Sequence, residues 1–94
     1  MEEEKFRDYL IKKGKKEHVV RQLIGSVRLF EDYLKTQKNT TIDKATDRNI
    51  RDYSEICVVE KKGSVKIVMR GIAYYYEFIG NEKISALAAE IRDN

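Results

Sequence analysis

Two lysine-rich corners carry the clearest chemical signal in this chain. Lys12-Lys13-Gly14-Lys15-Lys16 and Lys61-Lys62-Gly63-Ser64-Val65-Lys66 each set paired lysines and a glycine just before an apolar-periodic run. A glycine at such a place ends one helix, because it takes the left-handed conformation without a Cβ clash. The next helix then starts with unpaired N–H groups and a partial positive charge. Lysines beside that start make a corner that attracts phosphate. Residues 12–21 hold five basic side chains and one acid, and residues 61–70 hold four and none. Those twenty residues carry +8, and the other seventy-four carry −5 of the net +3. Segregation of this kind fits a protein that grips a polyanion, most plausibly nucleic acid. The same lysines would also complement helix dipoles and solubilise loops, so charge leaves both readings open.

Other chemistries find little support. Cys57 is the only cysteine and His18 the only histidine, so neither an intrachain disulfide nor a metal cluster is expected, and no cofactor. None of the six tyrosines has the partner set of a nucleophile. No apolar run approaches the ~20 residues of a membrane span. The segment Met1-Glu2-Glu3-Glu4 lacks the basic-then-apolar layout of a secretory signal, and with one cysteine a cytoplasmic setting is expected.

The corners need elements to hold them. Ninety-four residues suffice for one domain, 1–94, with a modest single core. The period is helical almost throughout. Phe6, Tyr9 and Leu10 mark a first helix ending near Gly14. Val20, Leu23, Val27, Phe30 and Leu34 mark a long second helix over roughly 17–37, followed by a loop in which Ile42 plugs the core. Thr46 is suited to cap a third helix bearing Ile50, Tyr53 and Cys57, which stops near Gly63. The β-branched Cys57-Val58-Val59 segment is read as helix from its flanks. Ser64 can cap a fourth helix, Val65 to Ile79, ended by Gly80; Asn81 caps a fifth that carries Ile84, Leu87, Ala88 and Ile91.

The fourth helix is apolar over most of its circumference, and only Lys66, Arg70 and Glu77 form a polar stripe, so it should lie at the centre of the bundle. Its tyrosines are read mainly as core. Gly71 is expected to let a neighbouring helix approach closely. The fold class is therefore all-α, a compact bundle of four to five helices.

The order of these features resembles the core-binding domain of tyrosine recombinases, the SAM-like amino-terminal part of phage-type integrases. Phe6-x-x-Tyr9-Leu10, Gly14, and a long helix ending Leu29-Phe30-x-x-Tyr33-Leu34 are similar to its opening. Ile42-x-x-Ala45-Thr46-Asp47-x-x-Ile50-x-x-Tyr53 resembles its middle. Ser64 followed by Met69-Arg70-Gly71-Ile72-Ala73-Tyr74-Tyr75-Tyr76-Glu77-Phe78 resembles its aromatic-rich fourth helix. The chain departs from the pattern at Lys15-Lys16-Glu17-His18, where the family often has Ser or Thr, and at Gly80-Asn81-Glu82, which lacks the usual proline.

The resemblance implies binding to double-stranded DNA through the starts of the second and fourth helices. Carried over by position, it gives Lys15, Lys16, His18 and Arg21 at the first corner, and Lys61, Lys62, Ser64, Lys66 and Arg70 at the second. The lysines would neutralise phosphate and set position. Arg70, then Arg21, would be the candidates to reach a base edge. The family's catalytic arginines, histidine and tyrosine belong to a separate domain, so no catalytic residue is expected here. His18-Val19-Val20-Arg21 matches the catalytic His-x-x-Arg pattern but falls in the wrong part of the architecture. Other protomers of a recombinase complex are further expected partners. The rival reading is a helical protein-interaction module, in which Ile84 to Ala89 would pack against a partner instead of the domain's own core.

Overall fold

A computed structural model describes residues 1–60 and 65–93. The expectations for Lys61, Lys62, Gly63 and Ser64 therefore lie outside the described residues. Within them the chain is helical: α1 (Glu3–Lys12), α2 (Glu17–Gln37), a short 3-10 helix (Ile42–Lys44), α3 (Asp47–Glu60), α4 (Val65–Phe78) and α5 (Glu82–Asp93). The Cys57-Val58-Val59 segment is helical, as its flanks required.

Local chemistry sets the boundaries. Gly14 has φ +86° and lets the Lys15 N–H reach back to the Leu10 carbonyl at 3.2 Å, which closes α1. Gly80 does the same after α4, with φ +84° and the Asn81 N–H on the Tyr76 carbonyl at 2.8 Å. Thr46 caps α3 in a reciprocal box. Its Oγ1 accepts from the Asn49 N–H at 3.3 Å, and Asn49 Oδ1 accepts from the Thr46 N–H at 2.9 Å. Asn81 Oδ1 accepts from the Ile84 N–H at 3.2 Å and starts α5. By contrast, no side chain caps the start of α2 at Lys16.

The core forms where the apolar stripes meet. Phe6 and Leu10 of α1, Val20, Leu23, Val27, Phe30 and Leu34 of α2, and Ile50, Tyr53 and Cys57 of α3 are all buried. They close around α4, whose Val68, Met69, Gly71, Ile72, Ala73, Tyr75 and Tyr76 are buried. Ile72 is 0 % and Tyr76 1 % exposed, so α4 is the central helix that its periodicity required. Gly71 makes this possible. A Cβ there would stand 2.9 Å from the Leu23 carbonyl oxygen and 3.3 Å from Ser26 Cβ, so α2 crosses α4 at backbone distance.

The tyrosine run serves packing. Phe6 meets Tyr75 edge-on at 5.1 Å, and Tyr53 packs between Phe30 and Tyr33 at 5.0 and 4.8 Å. The Tyr76 hydroxyl donates to the Ile42 carbonyl at 2.6 Å, tying the plugged loop to the centre. Ser85 Oγ donates to the Ala73 carbonyl at 2.8 Å and seats α5 on α4. Ile84, Leu87 and Ala88 are buried in this same core, so they are spent inside the domain and do not form the partner surface the rival reading assigned them.

Candidate nucleic-acid interface

α4 offers its polar stripe as the sequence pattern required: Lys66, Arg70 and Glu77 are exposed on a helix otherwise held by the core. At ~1.5 Å rise per residue the stripe runs about 16 Å, and residues 70 and 77 fall on nearly the same line because two turns separate them. Arg70 sits one residue before the Gly71 contact, so its Cα is fixed by the close crossing of α2 and α4.

The first corner packs beside the far end of that stripe. Lys15 Nζ lies 5.0 Å from the centre of the Tyr74 ring, and Lys13 Nζ lies 5.3 Å from the Tyr9 ring and 5.7 Å from the Tyr74 ring. Tyr74 is half-buried one helical turn beyond Arg70, so its ring joins the α1–α2 corner to the α4 stripe. The sequence presents the first corner and the α4 stripe as separate features; the fold seats Lys15 on Tyr74, one turn from Arg70. Lys61, Lys62 and Ser64 lie outside the described residues.

α2 contributes the remaining candidates. Lys16, His18 and Arg21 are exposed over its first turn and a half, while Val20 between them is fully buried and fixes the helix. With no side-chain cap, the first N–H groups of α2 are open to an incoming acceptor. Glu17 is turned to Arg7, at 3.0 Å. His18 and Arg21 belong to this exposed surface.

Ion pairing divides the basic side chains of the described residues, and four of the candidates share their unpaired state with Lys12, Lys35, Lys44 and Arg51. Among the described residues, Lys16, Arg21, Lys66 and Arg70 are in no ion pair, whereas Arg7, Arg28, Lys38, Arg48 and Arg92 each contact a carboxylate. Lys66 feels Asp93 at the end of α5. The Asp93 carboxyl is held below its ordinary range chiefly by its hydrogen bonds from Arg92 and to a smaller extent by Lys66.

Sequence reasoning missed a cluster at the stripe's end. Glu77 accepts from Lys13 Nζ at 2.6 Å and from the Tyr9 hydroxyl. The Lys13 bond, then the Tyr9 bond, lowers the Glu77 carboxyl, while burial first and Glu77 second raise the Tyr9 phenol. Glu77 had a place on the stripe from periodicity, but its partners come from α1 and the residue that follows it, and no local signal marks them.

Among the described residues no group of three or more His, Cys, Asp or Glu side chains could hold a metal ion. No helix among them is long and apolar enough to cross a membrane. No protein-family model matches the chain, and no curated protein or solved structure matches it.

Proposed function

We propose that this domain binds double-stranded DNA through the α4 stripe and the start of α2, as the core-binding arm of a tyrosine recombinase of the phage-integrase type. The observation that supports the reading is the seat of Lys15 over Tyr74, which sets a cation of the first corner beside the stripe of α4, one turn from Arg70. A preformed helix presents these cations to phosphate without a backbone ordering cost, so only their side chains are ordered at the moment of binding. Lys15, Lys16, His18 and Lys66 are assigned to phosphate, and Arg70 and Arg21 to base edges in the major groove. Strand cleavage is assigned to residues outside this domain, as the resemblance implies.

A duplex titration over a range of salt concentrations tests the reading. Lys16→Ala and Lys66→Ala should each flatten the slope of log affinity against log salt by about 0.9, across all sequences. Arg70→Ala should instead lose discrimination between sites. If amide shift changes on adding duplex avoid residues 15–21 and 66–70, the DNA reading is wrong.

One observation favours the protein-interaction reading. Val58 and Val59 are 63 % and 79 % exposed, and with Val65 and Ile91 they line an apolar groove of about 590 Å³ between α3, α4 and α5. Salt-insensitive self-association centred on this groove would support that alternative.

A further inference from the structure

The end of the α4 stripe holds an anion already. Glu77 accepts from Lys13 Nζ at 2.6 Å and from the Tyr9 hydroxyl, and both donors come from the α1 end of the first corner. Lys13 is further held against the faces of Tyr9 and Tyr74, with Lys15 on the same Tyr74 ring. An ammonium and a phenol hydroxyl, both aimed at one oxygen, form a seat that suits a phosphodiester oxygen as well as a carboxylate. The seat lies two turns beyond Arg70, on the line a DNA strand would follow along the stripe. Glu77 is the acid on that line, and it is 46 % exposed, so its side chain has solvent to swing into.

Resting on the DNA-binding reading, we infer that Tyr9 and Lys13 form a phosphate seat at the end of the interface, and that Glu77 is its built-in competitor. In the free protein the carboxylate satisfies Lys13 and Tyr9 and cancels one cation of the face. On the duplex it opposes the strand twice, by repelling phosphate and by holding the donors that phosphate would use. Glu77 thereby weakens binding to any duplex, whatever its sequence, because the seat touches backbone and no base edge.

The experiment compares the salt dependence of duplex binding for the unmodified chain, Glu77→Gln, Lys13→Gln/Glu77→Gln, and Glu4→Gln. The amide in Glu77→Gln keeps an oxygen for Tyr9 and Lys13 and removes only the charge; Glu77→Met removes the charge and the acceptor together and should steepen the slope at least as much, should the amide disturb folding. Glu4 is exposed on α1, outside the seat, and its replacement matches the change in net charge. Glu77→Gln should steepen the slope by about 0.9, equivalent to roughly five-fold tighter binding near 0.15 M salt. The double variant should return to the slope of the unmodified chain, and Glu4→Gln should not steepen it. An unchanged slope in Glu77→Gln, a gain that survives loss of Lys13, or an equal gain in Glu4→Gln overturns the seat while leaving DNA binding intact. No salt-dependent duplex binding by any of the four overturns the DNA reading, and the seat with it.

Discussion

Gly25 and Gly71 both lie inside helices, and the structure gives Gly→Ala opposite outcomes at the two sites. Alanine in a helix interior gains about 0.5–1 kcal/mol over glycine through lower backbone entropy in the unfolded chain. At Gly25, in α2, an added Cβ meets nothing within 4 Å. Gly25→Ala should therefore stabilise by about that amount, at about 4–8 °C in midpoint per kcal/mol for a domain of this size. At Gly71 the same Cβ would stand 2.9 Å from the Leu23 carbonyl oxygen. That oxygen is backbone within α2 and cannot rotate away, so the helices must part, at an overpacking cost of about 1–3 kcal/mol. Because the propensity gain is common to both, the difference between the two variants isolates the crossing, and it should be about 1–3 kcal/mol with Gly71→Ala the less stable. Urea unfolding followed by far-UV circular dichroism measures both, provided the m-values agree. If the two variants are equally stabilised, α2 and α4 do not meet at backbone distance, and the rigid placement of Arg70 goes with that contact.

Tyr76→Phe removes the donor to the buried Ile42 carbonyl and should cost about 1–3 kcal/mol in the same denaturation assay, since the acceptor is left unsatisfied. Burial raises the Tyr53 and Tyr76 phenols above their ordinary value of 10.0. Above that pH the unfolded chain loses protons that the folded one keeps, so stability should hold below pH ~10 and then fall by about 1.4 kcal/mol per pH unit for each tyrosine. A Tyr53→Phe variant should show a shallower alkaline decline, and an unaltered one would refute the assignment. Incubation of the purified chain with labelled duplex should yield no covalent adduct, and an adduct through any tyrosine would contradict the binding-only reading.

Much of the fold was legible because its determinants are local. Gly14, Gly80, Thr46 and Asn81 act on backbone groups within about five residues of themselves, so their roles as stops and caps followed from their neighbours. The period of α4 fixed its buried face and its stripe for the same reason. Ile42 was legible as a plug from its isolation among polar residues. The sequence left open whether the apolar side of α5 met the core or a partner, because an amphipathic helix shows which side it buries but not what covers that side.

What the sequence by itself determined was the set of helices, their apolar faces, the centrality of α4 and the segregation of charge. The tertiary structure decided which separated residues meet. Tyr9 and Glu77 are 68 residues apart in the chain, and Lys15 finds Tyr74 where the first corner meets α4. Helical periodicity carries no record of that pairing, because it is set by how two apolar faces dock, and docking depends on side-chain volume summed over the whole interface. The seat of Lys15 beside the α4 stripe, and the pairing of Glu77 with Lys13 and Tyr9, therefore exist only once α1 and α2 have closed on α4.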